Sequence, residues 1–165
     1  MTLVEGEGTA ALAGIPRTGP AATDPVRLVM ARRLLGVASE TSLRDVAREL
    51  YESEVGVVLV DNPGGATGLL SERDLVEVVA DGDDLDERQA ADIMTADLVT
   101  AEPDDSIATV GALMRDAGVR HVPIAVAGTV IGVVSIRDIL AVLLAGLEAP
   151  VRGGTTHSVQ RVTGR

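Results

Sequence analysis

The hydrophobic positions of this chain change from a helical period to short apolar runs and back again. Residues 42–50 carry their apolar side chains on one helical stripe, and two short apolar runs follow at 55–60 and 67–70. A second helical stripe covers residues 72–80. After a short extended lead-in at 34–37, the pattern therefore predicts the order helix–strand–turn–strand–helix.

The same order of periods returns 64 residues further along the chain. The predicted helices of this second pass are 106–114 and 136–145, and the predicted strands are 121–126 and 130–134. An extended lead-in at 98–101 precedes them. The mixture of short strands and amphipathic helices predicts an α/β fold of the α+β type.

The two passes also share residues, most visibly in one phrase. GLLSERDL at 68–75 returns as GVVSIRDI at 132–139. An offset of 64 holds without a gap from Val26 to Gly82 and gives 13 identities in 57 aligned pairs. The chain is therefore an internal duplication. Because one copy is too small to hold a comfortable core, we expect the two copies to bury their apolar faces against each other.

These patterns divide the chain into four segments. Residues 1–24 show no hydrophobic period and are predicted to be a flexible N-terminal arm. Residues 25–86 are predicted to form the first unit and 87–149 the second. Residues 150–165 are predicted to be a flexible C-terminal tail. The acidic cluster DGDDLDE at 81–87 has two interpretations, a solvated linker between the units or a carboxylate metal site. The linker interpretation is favoured, since charge runs are usually solvated.

Composition and charge exclude several classes of function. Apolar residues make up 46% of the chain, but Tyr51 is the only aromatic, so a base-stacking platform for single-stranded nucleic acid is absent. The net charge of −11 opposes binding to nucleic acid or to an anionic membrane. The longest apolar run, 139–145, is too short to span a bilayer, and the acidic N-terminus does not resemble a secretory signal. A soluble cytoplasmic protein is expected.

The repeated Ser-x-Arg-Asp lies where a strand ends and a helix begins. Ser71 and Ser135 are good N-caps, and Asp74 and Asp138 can complete capping boxes three residues later. Capping explains the serine and the aspartate, but not the arginine between them. In the functional interpretation the free N–H groups of the helix N-terminus face a crevice, the aspartate accepts from ribose hydroxyls and the arginine holds phosphate. These residues then describe a nucleotide pocket that occurs twice.

In this arrangement the residues resemble the CBS domain, named after cystathionine β-synthase. The resemblance lies in Gly-apolar-apolar-Ser-x-x-Asp, in RHVPI at 120–124, in the lead-in at 92–107 and in the duplication at a fixed offset. It covers roughly residues 26–146. Two such units in tandem form a Bateman module, so the resemblance implies a stand-alone CBS pair whose units pack sheet to sheet about a pseudo-twofold axis.

The resemblance also implies two clefts that bind adenine-containing ligands: AMP, ADP, ATP, S-adenosyl compounds or NAD-type molecules. No obligatory cofactor and no metal are expected. In similar proteins the aspartates hold the ribose, the serines lie near ribose and phosphate, residues like Arg120 and His121 reach the phosphates, and the backbone of two segments lines the adenine slot. The implied ligand-binding residues are Ser71, Arg73, Asp74, Val99, Thr100, Ala101, Arg120, His121, Val122, Pro123, Ser135, Arg137 and Asp138.

The first copy departs from the pattern at the basic pair. Gly56 and Val57 stand where the second copy has Arg120 and His121. We therefore expect a cleft built on Arg120, His121 and Asp138 to bind ligand, and the first cleft to be empty or selective for a less phosphorylated ligand. His121 also has a structural interpretation, as a half-buried strand histidine.

Two functional hypotheses follow. The leading one is a regulatory module that binds an adenosyl ligand between the two CBS units and signals to a protein partner, acting as a homodimer. The alternative is a structural dimerisation module with vestigial pockets. An enzyme is not expected, because the sequence offers no nucleophile–base pair, no phosphate-cradling glycine loop with lysine and no cluster of metal ligands.

Overall fold

The computed structural model describes residues 19–61, 63 and 67–147. Within them, five helices and five strands form two α+β units, which confirms the predicted fold class. The first unit contains β1 (Gly36–Ala38), α1 (Leu43–Glu52), β2 (Val57–Asp61), β3 (Gly68–Ser71) and α2 (Glu72–Asp81). The second contains α3 (Ala90–Ile93), α4 (Ile107–Ala117), β4 (His121–Val126), β5 (Thr129–Ser135) and α5 (Ile136–Leu147). A short 3₁₀ turn, Val26–Leu28, precedes β1.

The two sheets have the same topology. In the first unit β1 runs parallel to β2, and β2 is antiparallel to β3. In the second unit β4 is antiparallel to β5, and Ala101 makes a parallel bridge to Ile124 where the first unit has β1. Val37 and Val60, which pair in the first unit, are the equivalents of Ala101 and Ile124 at the offset of 64. The duplication in the sequence is therefore a duplication of structure.

The lead-in segments are exchanged between the units. Ala31 pairs with Val133 of β5, and Thr95 pairs with Leu69 of β3, each through two backbone hydrogen bonds of 2.8–3.0 Å. Because the offset of 64 converts one pair into the other, the exchange is symmetric. Each sheet therefore gains a further backbone bridge at one edge from the other repeat.

Each hydrophobic core is completed by the same exchange. Val26 and Met30, which precede the first unit, are buried in the core of the second unit among Ile107, Val122 and Ile139. Ala90, Ile93 and Met94 pack reciprocally into the core of the first unit. The boundaries expected at 25–86 and 87–149 separate the repeats in sequence, but the packing units cross them.

Residues 21–24 take part in this exchange, although the sequence predicted them to belong to a flexible arm. The carbonyls of Ala22 and Asp24 accept from the N–H groups of Ala108 and Ile107, in the first turn of α4. These contacts satisfy donors that a helix N-terminus otherwise leaves to solvent. Residues 1–18 and the predicted C-terminal tail at 150–165 lie outside the described residues.

Candidate functional site

The two Ser-x-Arg-Asp turns form capping boxes. Oδ2 of Asp74 accepts from the backbone N–H and the hydroxyl of Ser71 at 2.6 and 2.8 Å, and Oδ2 of Asp138 accepts from the same groups of Ser135 at 2.9 and 2.6 Å. Within the described part of the chain, Oδ1 of either aspartate accepts no hydrogen bond. Each carboxylate therefore caps its helix through one oxygen, while the other oxygen accepts no hydrogen bond from the described residues.

The expectation of free N–H groups at these helix N-termini is largely wrong. The N–H of Glu72 donates to the Gly56 carbonyl at 3.1 Å, and the N–H of Ile136 donates to the Arg120 carbonyl at 2.8 Å. The N–H of Asp138 donates to the Ser135 hydroxyl at 3.3 Å. These three donors are therefore already paired within the protein.

The larger of two cavities between the units measures about 400 Å³. The polar residues that line it include Ser135, Arg137 and Asp138 of the second unit and Arg33 and Glu54 of the first. The apolar residues that line it come mostly from the first unit, together with Ile136 and Val133; they are Leu34, Leu35, Val55, Val57, Val58, Leu59 and Leu69. The lining of this cavity is therefore partly apolar and partly charged.

The smaller cavity measures about 180 Å³, and the contributions of the two units to it are reversed. It combines the turn of the first unit with the lead-in and β4 region of the second. The predicted site residues that line it are Ser71, Arg73, Asp74, Val99, Arg120, His121 and Pro123. The other residues that line it are Leu69, Thr95, Asp97, Leu98, Gly118 and Val119.

The expected grouping of Arg120, His121 and Asp138 occurs around the larger cavity, which Gly56 and Val57 of the other repeat also line. Asp74 shares its cavity with Arg120 and His121. Those two basic residues line both cavities. The sequence alignment identified equivalent residues correctly, but it carried no information on which turn faces which strand.

Three predicted residues do not line either cavity. The side chains of Ala101 and Val122 are buried in the core of the second unit, and that of Thr100 is exposed to solvent. Only their backbone atoms can contribute to the slot that was expected there. Conversely, Arg33, Glu54 and Glu72 line the larger cavity although the sequence analysis did not select them.

The arginines distinguish the two cavities. Arg73, in the smaller cavity, makes an ion pair of 3.3 Å with Glu77, whereas Arg137 in the larger one has Ala141 at the equivalent position. Among the described residues, the arginines that line the larger cavity, Arg33, Arg120 and Arg137, make no ion pair. Asp97 stands in the smaller cavity where the larger one has Arg33, a difference visible in the alignment of the repeats.

His121 lies at the wall between the cavities and packs over Gly56. A Cβ atom added at Gly56 would lie 3.1 Å from Cε1 and 3.3 Å from Nε2 of the imidazole. Burial lowers the pKa of His121, and the positive charges of Arg120 and Arg137 lower it further, against an opposing effect of Glu72 and Asp138. The neutral imidazole is therefore favoured near neutral pH.

The acidic segment at 81–87 is held by ion pairs. Arg44 of α1 contacts Asp86 at 2.5 Å, and Arg88 pairs with Asp83. The hydrogen bond and the charge of Asp86 raise the pKa of Arg44. In the portion of the chain that the structure describes, no group of three or more histidine or carboxylate side chains is arranged to hold a metal ion.

The structure contains two equivalent α+β units that exchange their lead-in segments, and a helix-capping aspartate lines each cavity. These features define a CBS-domain pair. The chain belongs to the CBS domain family, whose model matches residues 26–81 and 90–145. This finding confirms the family that the sequence resembles.

Particular relatives agree with this assignment. An uncharacterised protein of Methanopyrus kandleri is 37% identical over 131 residues, which cover 74% of this chain and 66% of that protein. The mitochondrial CBS domain-containing protein CBSX3 of Arabidopsis thaliana is 28% identical, with 73% of this chain and 65% of the relative covered. The chain thus spans about two thirds of the length of these curated relatives.

Solved structures share the fold. The crystal structure of an uncharacterised conserved protein from Pyrococcus horikoshii superposes with a TM-score of 0.69 at 26% identity, and covers 82% of this chain and 100% of that one. The CBS domain pair of protein MJ0100, in complex with 5-methylthioadenosine and S-adenosyl-L-methionine, has a TM-score of 0.65 at 20% identity, with coverage of 72% and 98%. At that identity the second likeness concerns the fold alone.

None of the helices in the described ranges is long and apolar enough to cross a membrane.

Proposed function

We propose that this CBS pair is a regulatory module that binds a phosphorylated adenosyl ligand in the larger cavity. The observation that carries the proposal concerns the described residues around a single cavity, where three arginines make no ion pair and one aspartate oxygen accepts no hydrogen bond. A volume of about 400 Å³ lies in the range of small-molecule pockets, which is roughly 300–1,000 Å³. The smaller cavity has less than half of that volume, so the larger one is proposed as the first site to fill.

Each part of the ligand has a matching group in this cavity. Oδ1 of Asp138 accepts from a ribose hydroxyl, while the apolar residues around Leu34 and Val57 contact the flat base. Arg33, Arg120 and Arg137 supply charge-assisted hydrogen bonds to phosphate oxygens. The ligand class is AMP, ADP, ATP or a related adenosyl compound. The complex of the MJ0100 pair with two adenosyl compounds supports the choice of adenosine as the common element.

The regulatory step follows from the position of the cavity. Its walls come from both units, so a bound ligand stabilises one arrangement of the units relative to others. A ligand shifts such an equilibrium by its difference in affinity for the two arrangements. A partner protein that contacts both units then responds to the ligand.

The alternative function, a dimerisation module whose cavities are vestigial, is favoured by one observation. The helices that follow the two turns expose apolar side chains on one stripe each: Val76 and Val79 on α2, and Ile136, Leu140, Leu143, Leu144 and Leu147 on α5. Exposed patches of this kind mark protein interfaces. We propose that a second copy of the chain covers these helices in a homodimer. Such a dimer is compatible with either function.

The ligand test compares two matched substitutions. Asp138→Ala and Asp74→Ala each remove an equivalent capping carboxylate, so both lose stability, by about 0.5–2 kcal/mol. Only Asp138→Ala also removes the ribose acceptor of the larger cavity, which costs about 1.5–3 kcal/mol of binding free energy, or roughly 10- to 150-fold in affinity. Isothermal titration calorimetry with AMP, ADP and ATP measures the difference.

A thermal-shift screen precedes the titration and includes S-adenosylmethionine, NAD and GMP. A ligand present at 100 times its dissociation constant stabilises the folded protein by about 2.7 kcal/mol. If no adenosyl compound raises the melting temperature, the binding function is wrong and the dimerisation function stands. If Asp138→Ala binds as tightly as Asp74→Ala, the larger cavity is not the site.

A further inference from the structure

Each of the two cavities contains one helix-capping carboxylate, but the cavities share one basic pair. Arg120 and His121 line the larger cavity beside Asp138 and also the smaller cavity beside Asp74. At the equivalent positions of the first repeat, Gly56 and Val57 carry no charge and no hydrogen-bonding side chain.

The geometry at Gly56 explains how one strand reaches both cavities. The missing side chain leaves room for the His121 imidazole, whose Cε1 atom lies 3.1 Å from the Cβ position that any other residue would have there. Arg120 is exposed and has no ion-pair partner among the described residues, so its guanidinium is free to turn to either side. The pair therefore forms a common wall between the cavities.

In the smaller cavity, Arg120 is the arginine that makes no ion pair with a described residue. The other arginine, Arg73, is paired with Glu77 at 3.3 Å, and Asp74 and Asp97 add negative charge. The larger cavity has Arg33 and Arg137 besides Arg120, against the carboxylates of Glu54, Glu72 and Asp138. A phosphate in the larger cavity therefore removes the donors that a second phosphate would need, and repels that phosphate through a shared wall.

We infer that phosphorylated ligands bind the two cavities in a mutually exclusive way, with Arg120 and His121 as the shared residues that couple them. This inference rests on the proposed function, since it requires that both cavities accept an adenosyl phosphate. The chain then binds one such ligand, in the larger cavity first. The smaller cavity binds phosphorylated ligand only when binding to the larger cavity is abolished.

Calorimetric stoichiometry with AMP tests the coupling, using the full chain, Asp138→Ala, Asp74→Ala and the double variant. We expect one AMP per chain for the parent and for Asp74→Ala. Asp138→Ala is expected to bind one AMP as well, with an affinity reduced about tenfold or more because the site is now the smaller cavity. The double variant is expected to bind none.

A spectroscopic readout identifies the shared wall directly. The chain has two histidines, so His157→Gln leaves His121 as the one imidazole seen by NMR. In this background we expect AMP to shift the His121 imidazole signals in Asp138→Ala and also in Asp74→Ala. A shift in only one of the two variants overturns the sharing.

Other outcomes separate the two proposals. Two AMP molecules per parent chain, at a concentration that saturates Asp138→Ala, mean that the cavities are independent and overturn the coupling while the binding function stands. One AMP for the parent and none for Asp138→Ala mean that the smaller cavity is not a site, which also overturns the coupling. Absence of binding by every form overturns the proposed function with it.

Discussion

His121 combines a structural and a chemical property in one side chain. It is half-buried over Gly56, as the structural interpretation of the sequence predicted, and it also lines both cavities. The structural interpretation and a position at a binding cleft are compatible, because an imidazole at a cavity wall loses hydration on one side and stays accessible on the other.

The lowered pKa of His121 predicts a loss of stability in mild acid. Its charged neighbours are Arg120 and Arg137, which oppose protonation, and Glu72 and Asp138, which favour it; burial is the largest effect and lowers the pKa below the ordinary 6.5. The unfolded chain then binds the proton more readily than the folded protein. The stability that neutral His121 contributes is therefore fully present above pH 6.5 and is lost as pH falls through the folded-state pKa. Denaturant unfolding at pH 7.5 and 5.5 measures it.

The control for this pH effect is His121→Gln. Since His157 and every carboxylate are unchanged in that variant, the difference between the parent and His121→Gln isolates one imidazole. We expect the free energy of unfolding to fall less with pH in the variant. Equal pH dependence in both proteins would show that His121 titrates in the folded state as it does in the unfolded state.

At the scale of elements, the glycine that opens each repeated phrase has a packing role. A Cβ atom at Gly68 would lie 2.4 Å from Sδ and 2.8 Å from Cγ of Met94, which belongs to the other repeat's lead-in. Gly132 meets Met30 in the same way, with Sδ at 2.7 Å. The sequence showed that a small residue recurs there. The structure explains it, because each β-strand must admit the methionine of the exchanged segment.

Gly68→Ala is therefore expected to destabilise the protein. Overpacking of this kind costs about 1–3 kcal/mol, because the Met94 side chain and its backbone must move away from β3. Thermal or denaturant unfolding measures the loss. Gly36→Ala is the matched control in a strand, since the nearest atom to its Cβ is 4.0 Å away, and it is expected to be close to neutral.

A double substitution checks the partner of Gly68. Replacing Met94 with alanine alone removes buried side-chain volume, but in combination with Gly68→Ala it also removes the clash. The combined loss of stability is expected to be smaller than the sum of the two single losses. Strict additivity would mean that the two residues are not coupled and that the crowding is relieved elsewhere.

At the scale of the whole molecule, the apolar faces of α2 and α5 define the proposed dimer surface. The offset of 64 relates Val76 to Leu140 and Val79 to Leu143, so the pseudo-twofold symmetry provides two similar stripes. Leu140 is 51% exposed. A second copy can cover both stripes in one symmetric contact, which is the usual arrangement of a two-fold interface.

A charge on this face is expected to separate the dimer. Leu140→Glu, alone or with Leu144→Glu, puts a carboxylate into the buried centre of the contact, where an unpaired charge is costly. Analytical ultracentrifugation should then report a monomer while circular dichroism stays unchanged. Val126→Glu is the control, because Val126 is similarly exposed at 50% but lies at the β4–β5 hairpin. A dimer that survives Leu140→Glu contradicts the assigned face.

Much of the fold was predictable, because the hydrophobic positions of each helix and strand in the repeats follow the period of that element. Residues 121–126 form β4 as predicted, and 72–80 form α2 with one additional residue. The short helix α3 and the 3₁₀ turn were not predicted, since four or three residues are too few to establish a helical period. The exchange of Met30 and Met94 was not predicted either. Each lead-in segment could pack against its own repeat or against the other one. The hydrophobic period within a segment does not show which repeat it contacts.

The candidate site was predictable in its parts and not in its assembly. The capping boxes at Asp74 and Asp138 follow from local spacing and are present. Arg33 carried no local signal of its own. Its difference from Asp97 is visible in the alignment of the repeats, but its position at the larger cavity and the pairing of Arg73 with Glu77 require the three-dimensional arrangement to be known.

The reciprocal exchange of lead-ins has a consequence for how such a chain arose. A single repeat lacks the segment that closes its own core, yet two separate copies would supply it to each other by the same crossing, as in domain-swapped dimers. Their association would depend on protein concentration. Fusion into one polypeptide fixes the partner at a high effective concentration, so that the pair survives dilution and the two copies become free to diverge at positions such as Gly56 and Arg120.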